Sequence, residues 1–144
     1  MSGRARVLVL GTLVLVVMVL CIDWLQARSR LDEITIEGWL DPPQVIADGK
    51  HSTVLTVRVT ERGQPRAHVL LQSWLQSGNG LLIPEWVYTD ERGEAHITFS
   101  PNPMTPYDIE QDTVIHLIDT GVGRLVEVDK HFLIKVPVKA PEAQ

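Results

Sequence analysis

A long uncharged apolar run near the N-terminus is the feature that most constrains this 144-residue chain. Fourteen of the sixteen residues in 7–22 are apolar, and the two exceptions are Gly11 and Thr12. As a helix rising 1.5 Å per residue, residues 7–25 would extend about 28 Å, close to the roughly 30 Å hydrocarbon core of a bilayer. The run therefore predicts a transmembrane helix over residues 7–25, followed by residues 26–33, which either extend the helix or act as a juxtamembrane linker.

Charged and aromatic residues at the ends of the run predict its orientation. Arg4 and Arg6 precede it, and Trp24 at its far end suits the aromatic belt of a membrane interface. The positive-inside bias places residues 1–6 in the cytoplasm and the C-terminal domain outside it. We therefore expect a single-pass protein of the cell membrane, with its domain in the periplasm or on the cell surface.

The N-terminal segment has two alternative interpretations besides an uncleaved signal-anchor. A cleaved signal peptide usually has a shorter apolar region, and the nearest small residue, Ala27, has Leu25 at the position where a second small residue is expected. A lipoprotein would need a small residue before Cys21, where Leu20 stands. The uncleaved anchor is the favoured interpretation.

Charge and cysteine content exclude several classes of function. Four arginines and one aspartate give residues 1–30 a net charge of +3. Residues 31–144 must therefore have a net charge of −8, because the whole chain has −5. An acidic domain of this kind argues against nucleic-acid binding, which needs basic patches. Cys21 is the only cysteine, so neither an intramolecular disulfide nor a thiolate metal cluster is available.

From residue 34 onward the apolar residues alternate with polar ones, as expected of half-buried β-strands. Residues 53–60 place Leu55, Val57 and Val59 on one face of a strand. Residues 94–100 do the same with Ala95, Ile97 and Phe99. Turn residues separate such runs at intervals of 8–15 residues. The sequence predicts an all-β, immunoglobulin-like antiparallel sandwich over residues 34–138 and a flexible tail over 139–144. The other expected strands are 34–39, 44–47, 68–75, 113–119 and 125–136, with a loop over 101–112.

Several short motifs occur in a fixed order within this β-region. They are Ala47-Asp48-Gly49, Leu55-Thr56-Val57, Gly63-Gln64-Pro65, Val69, Ser77-Gly78-Asn79-Gly80, and Thr89-Asp90 with Gly93 and Ala95. The set resembles the bacterial immunoglobulin-like domain of the group 1 type, found in the extracellular stalks of invasin and intimin, over residues 44–100. The resemblance implies a rigid extracytoplasmic module for spacing, adhesion or protein contact, and that family has no catalytic residues to carry over.

A search for chemistry in the sequence favours a non-enzymatic protein with no cofactor. The five histidines lack metal-binding spacing on a helix, although a cross-strand pair is conceivable. Asp108, Glu110 and Asp112 could suit calcium, but the glycine and the terminal glutamate of an EF-hand are missing, so a solvated acidic loop is the simpler interpretation. Nucleophile and phosphate-loop motifs are also missing from the sequence. We expect neither a metal site nor a small-molecule substrate.

Leu70 and Trp74 are the candidate interaction residues. If Val69 and Leu71 point inward, Leu70 and Trp74 point outward, where a large apolar pair indicates a contact surface. The alternative is that another strand or the 77–83 loop covers them. Trp39 and Trp86 remain open between core and surface. In the membrane helix, close packing against another helix would centre on the small residues Gly11 and Thr12.

Together these features predict a protein that works by contact. The leading hypothesis is an accessory or structural subunit of a membrane assembly, with the lipid bilayer and other membrane or extracytoplasmic proteins as its partners. The alternative is a bacterial surface module for adhesion or ligand binding. A single domain on a single helix favours the subunit, because such a domain reaches only about 40 Å from the membrane.

Overall fold

The computed structural model describes residues 3–142, which form one long helix and eleven strands. Helix α1 comprises Gly3–Leu31. The strands are β1 (Ile34–Asp41), β2 (Val45–Ile46), β3 (Thr53–Glu61), β4 (Gln64–Pro65), β5 (Leu70–Ser77), β6 (Gly80–Ile83), β7 (Trp86–Tyr88), β8 (Glu94–Pro101), β9 (Thr113–Asp119), β10 (Lys130–Val136) and β11 (Val138–Lys139).

Two antiparallel sheets face each other in a sandwich. The first sheet has the order β1-β3-β8-β6, with β4 paired to β3, and the second has the order β10-β9-β5-β7. The short strands β2 and β11 form a separate parallel pair. The predicted fold class, an immunoglobulin-like β-sandwich behind one apolar helix, is confirmed.

The core lies between the sheets and consists of the inward side chains that the alternation predicted. Leu55, Val57 and Val59 of β3 are fully buried, and so are Ile97 and Phe99 of β8. The second sheet contributes Leu71, Ile115 and Leu117 from β5 and β9, which are also fully buried. Burial of such side chains stabilises a fold by about 1.5–3 kcal/mol each, and in this domain, which contains no cysteine, it replaces a disulfide.

The turn before β8 explains the sequence motif that begins at Thr89. The buried Thr89 hydroxyl donates to the Arg66 carbonyl oxygen at 2.7 Å and accepts from the Val69 N–H at 3.0 Å. The Asp90 carboxylate accepts from the backbone N–H groups of Arg92 and Glu94. Gly93 has a φ of +73°, a conformation that glycine adopts without steric cost. The motif therefore closes the turn that starts β8 beside β3.

Some predicted elements differ from the structure. The expected strand 125–136 is wrong over 125–129, where the chain forms a loop, and begins only at Lys130. Residues 80–83 and 86–88, which were not predicted as strands, form β6 and β7. Trp39 and Trp86, left open between core and surface, are 43% and 50% exposed. Strands of three or four residues carry too little alternation to be recognised.

The helix and the C-terminal segment both pack further onto the domain than the proposed boundaries suggest. Helix α1 continues through Leu31, so helix extension rather than a linker describes 26–31, and Ala27 is buried in the sandwich core. At the other end, Lys139 belongs to β11 and the Ala140 N–H donates to Glu110. Residues 1–2 of the predicted cytoplasmic segment 1–6, and residues 143–144 of the predicted tail, lie outside the described residues.

Candidate interaction surface

The outer face of the second sheet carries an unusual set of large side chains. In β9 the odd-numbered residues point inward, so His116 and Ile118 point outward. The register then places Trp74 of β5 opposite His116, and Leu133 of β10 on the other side of the same histidine. Two residues earlier in β5, Gln72 pairs with Trp86 of β7 on one side and with Ile118 of β9 on the other, so Trp86 and Ile118 lie at the same level of the sheet. We call this surface the aromatic face, and its outward residues are Leu70, Gln72, Trp74, Trp86, Tyr88, Val114, His116, Ile118, His131 and Leu133.

The aromatic face is exposed at its large apolar members. The exposed fractions are 37% for Trp74, 50% for Trp86, 65% for Tyr88 and 53% for Leu133. Ile118 beneath them is buried, although it also points away from the core between the sheets. The outer face of an antiparallel sheet is ordinarily polar, and a contiguous exposed apolar patch of this kind marks a contact site.

Two histidines lie at the centre of the aromatic face. The Nε2 atom of His116 and the Nδ1 atom of His131 are 2.9 Å apart, at hydrogen-bond distance. The Trp74 ring packs on His116 with 4.3 Å between ring centroids. Burial lowers the pKa of His116, and the neighbouring charge of His131 lowers it further. The lowered pKa favours the neutral form of His116.

The sequence predicted part of this surface and missed the rest. Leu70 and Trp74 do lie outward on β5, with Leu70 half-buried and Trp74 exposed. The segment proposed to cover them instead forms β6, which pairs with β8 in the first sheet. Tyr88 and Leu133 were missed, although each alternates with inward-facing neighbours in its strand. The sequence holds that local signal but not the register that brings the strands together.

The outer face of the first sheet is different in character. Its centre holds the Arg58–Glu94 ion pair and a hydrogen bond between the Thr56 hydroxyl and the His96 ring at 3.0 Å. Trp39 lies there too, with the Arg58 guanidinium 5.5 Å from its ring centroid. These polar groups bond to one another at the centre of the face, whereas Leu81 and Ile83 of the edge strand β6 are exposed on it.

An ion-pair network fixes the helix to the sandwich. Arg30 donates through Nε and Nη2 to the two carboxylate oxygens of Glu61, at 2.7 and 3.0 Å. Arg66 also donates to Glu61 at 2.9 Å, and to the buried carboxylate of Asp119 at 2.8 Å. The hydrogen bond from Arg30 is the largest cause of the lowered pKa of Glu61. The helix end and both sheets therefore meet in one charged cluster.

The acidic loop does not gather its carboxylates into one site. Asp108 accepts from the Thr105 N–H, Glu110 pairs with Lys139 at 2.9 Å, and Asp112 pairs with Lys135 at 2.7 Å. Within residues 3–142, no three His, Cys, Asp or Glu side chains are grouped so that they could hold a metal ion. The carboxylates of this loop thus tie it to β10 and β11.

The proposed helix-packing residues lie on an open part of helix α1. A Cβ atom added at Gly11 would meet no atom within 4 Å, and the Thr12 hydroxyl donates to the Leu8 carbonyl oxygen at 2.9 Å. That internal bond satisfies the only polar side chain in the apolar run. A neighbouring helix could approach closely at Gly11, and this role stays a prediction.

No protein-family model matches the sequence. The search of curated proteins also finds no match. The structural comparison identifies the class, because solved structures of immunoglobulin-like sandwiches superpose on most of the chain.

Three solved structures illustrate this likeness. The D0-D1 domain of intimin matches with a TM-score of 0.56 at 19% identity, covering 74% of this chain and 49% of that one. A C-terminal intimin fragment in complex with the translocated intimin receptor has a TM-score of 0.55 at 20% identity, covering 73% and 32%. The YadV chaperone has a TM-score of 0.53 at 18% identity, covering 76% and 53%. The predicted intimin-type fold is confirmed, and the chain spans about half or less of each of these structures.

Proposed function

We propose that this protein is a non-enzymatic, single-pass membrane protein whose extracytoplasmic domain binds another protein through the aromatic face. Its role would be that of an accessory or structural subunit in a membrane assembly. The observation that carries the proposal is the joint exposure of Trp74, Trp86, Tyr88 and Leu133 on one sheet. Tryptophan and tyrosine dominate the energetics of protein interfaces because they bury large areas at low entropic cost.

The contrast between the two sheets supports a specific role for the aromatic face. On the first sheet, Arg58 and Glu94 pair and cover the middle of the surface with charge. On the second, the central histidines bond to each other and Trp74 packs over one of them. The first sheet also exposes Trp39, Leu81 and Ile83, so the contrast lies in the groups at the centre of each face. The second face is therefore suited to exclude water against a partner.

The helix supports membrane anchorage. Residues 5–31 form a continuous helix whose most apolar 18-residue stretch has a mean hydropathy of 2.7, long and apolar enough to cross a bilayer. Its apolar side chains are exposed on all sides, from Val7 through Leu20. Contact with lipid would remove that surface from water, whereas only the last turns near Ala27 are covered by the domain.

The geometry of the domain favours a partner in the same membrane. Helix α1 ends directly against the sandwich, and the longest strands of the domain have eight or nine residues. At about 3.3 Å per residue such strands extend roughly 26–30 Å. The aromatic face would therefore lie within that distance of the bilayer, where the extracytoplasmic part of another membrane protein is the nearest partner.

The proposal is tested by the native size of the protein after gentle detergent extraction from its own membrane. Trp74→Ser combined with Trp86→Ser should shift it from a large complex to the monomer, because both interface side chains are lost. Trp39→Ser is the matched control, since this tryptophan is comparably exposed on the opposite sheet, and it should leave the complex intact. A wild-type protein that is already monomeric would contradict the subunit role.

Adhesion or ligand binding at the membrane-distal end is the second candidate. Tyr107 and Ile109, in the loop between β8 and β9, are 91% and 90% exposed, and this loop lies at the end of the sandwich opposite the helix junction. A structurally similar intimin fragment was solved with its receptor. If adhesion is the function, Tyr107→Ser with Ile109→Ser should abolish cell or ligand attachment, while the Trp74 and Trp86 substitutions should not.

A further inference from the structure

The loop over residues 120–129, between β9 and β10, folds back along the helix instead of remaining at the end of the sandwich. The Asp23 carboxylate accepts hydrogen bonds from the backbone N–H groups of Leu125 and Val126, at 2.8 and 2.9 Å. Asp23 stands eight residues before the helix end at Leu31. At 1.5 Å per residue, the loop tip therefore lies about 12 Å back along the helix axis.

Other contacts hold the loop at this level. The Val122 side chain is fully buried in the sandwich core, and the Val122 carbonyl oxygen accepts from Arg30 at 3.2 Å. On the other side of the loop, the Lys130 ammonium donates to the Leu31 carbonyl oxygen at 2.7 Å. The loop is thus attached to the helix before, at and after its tip, so its depth relative to the apolar run is fixed.

The tip and the adjoining helix surface combine apolar and basic side chains, and the exposed Glu127 lies two residues beyond Leu125. Leu125 is 65% exposed beside the exposed Arg124. On the helix, Trp24 is exposed and the Arg28 guanidinium lies 5.2 Å from its ring centroid. Tryptophan and leucine favour the interfacial region of a bilayer, and arginine there binds lipid phosphates. The Asp23 carboxylate, which would oppose such contact, is occupied by the loop amides.

We propose that the 120–129 loop is a second membrane-contact element, which rests on the lipid headgroups beside the helix with Leu125 inserted. The occupant of this surface is lipid rather than protein, because the tip is level with residue 23, within the last turn of the predicted 7–25 span. Arg124 and Arg28 complement the phosphates of the headgroups. The inference rests on the proposed membrane anchorage of the helix. Its consequence is a domain held in one orientation on the bilayer.

The test measures the depth of single labelled sites in the full chain. In a Cys21→Ser background, Leu125→Cys is labelled with an environment-sensitive fluorophore, and the protein is reconstituted into vesicles of phosphatidylcholine and phosphatidylglycerol. Quenching by lipids with a nitroxide near the headgroup reports contact with the bilayer surface, and quenching by lipids with a nitroxide near the end of the acyl chain reports insertion into the bilayer interior. Leu15→Cys, in the middle of the apolar run, is the control for the anchor, and Tyr107→Cys, at the opposite end of the domain, is the control for water.

The headgroup nitroxide should quench position 125 much more than position 107, and the acyl-chain nitroxide should quench position 15. Asp23→Ala should reduce quenching at 125 and leave it unchanged at 15, since only the loop loses its attachment. If 125 behaves like 107 while 15 is quenched, the loop proposal is overturned and the anchor stands. If 15 is not quenched either, the membrane anchorage itself fails. Quenching at 125 that survives Asp23→Ala would overturn the role of Asp23 in positioning the loop.

Discussion

Arg30 in the last turn of helix α1 and Glu61 at the end of β3 form a two-bond ion pair, with Nε–Oε1 and Nη2–Oε2 distances of 2.7 and 3.0 Å. Arg66 binds the same carboxylate and links it to Asp119. The end of the helix is therefore part of the folded domain and not a flexible stalk. Any movement of the helix would be transmitted to both sheets.

Glu61→Gln should lower the free energy of unfolding by about 1–2 kcal/mol, because two arginines lose a charged partner in a half-buried site. Glu33→Gln is the matched control. Its partner Arg62 is 73% exposed at the side chain, and the change should stay within about 0.5 kcal/mol. Denaturant unfolding of the protein in detergent micelles measures both values, and equal effects would count against the network.

The same pair predicts a dependence on acid. The pKa of Glu61 in the folded protein lies below its ordinary value of 4.5, so its stabilising contribution is present above pH 4.5 and is lost as the pH falls below that value. The difference in stability between the wild type and Glu61→Gln should therefore shrink below pH 4.5. A difference that persists unchanged at lower pH would mean that the charge of Glu61 is not its source.

Truncation tests whether the last helical turns belong to the domain. A chain that begins at residue 32 lacks the buried Ala27, the half-buried Leu31 and Arg30. Compared with a chain that begins at residue 23, it should lose about 2–4 kcal/mol of stability from apolar burial and charged hydrogen bonds. Both should show β-type circular dichroism. Equal denaturation midpoints would argue that residues 23–31 are a linker.

The histidine pair predicts a second pH dependence in a separate range. Because burial lowers the folded pKa of His116 below its ordinary 6.5, the unfolded chain takes up the proton first. Stability should therefore fall as the pH drops below about 6.5, and His116→Gln should remove that part of the dependence. Trp74→Ala, which uncovers the ring, should raise the pKa of His116 in an NMR titration. The neighbouring titratable groups, His131 and Asp129, would be followed in the same spectra.

Two glycines with similar backbone conformations test the turn before β8. Gly93 and Gly63 have φ values of +73° and +76°, but a Cβ at Gly93 would lie 2.4 Å from the Val59 carbonyl oxygen, whereas one at Gly63 meets nothing within 4 Å. Gly63→Ala should cost about 1–2 kcal/mol from backbone strain alone. Gly93→Ala should cost at least about 2 kcal/mol more, because backbone must move. Similar losses would show that the turn relaxes easily.

Local pattern predicted the parts of the fold that depend on one strand at a time. Leu55, Val57 and Val59 alternate with polar neighbours, so their burial could be inferred without knowing their partners. Residues 125–129 contain apolar residues as well, yet their backbone folds against Asp23, about a hundred positions earlier in the chain. A contact that distant leaves no periodic signal in the sequence.

The candidate site was only partly predictable for the same reason. Trp74 was identified from its own strand, but its neighbour His116 and the nearby Trp86 are placed by the register of three strands. Strand β6 intervenes in the sequence between β5 and β7 and belongs to the other sheet. The alternative that residues 77–83 cover Trp74 is therefore wrong, because residues that are close in the chain lie in different sheets.

Site-specific photocrosslinking in intact cells tests the central claim most directly. A photoreactive residue replaces Trp74, Trp86 or Trp39 in separate full-length proteins, and adducts are recovered from the membrane fraction. We predict one adduct of the same mass from positions 74 and 86, on the aromatic face, and none from position 39 on the opposite sheet. Adducts from position 39 alone, or none from any of the three positions, would contradict a protein-binding role for the aromatic face.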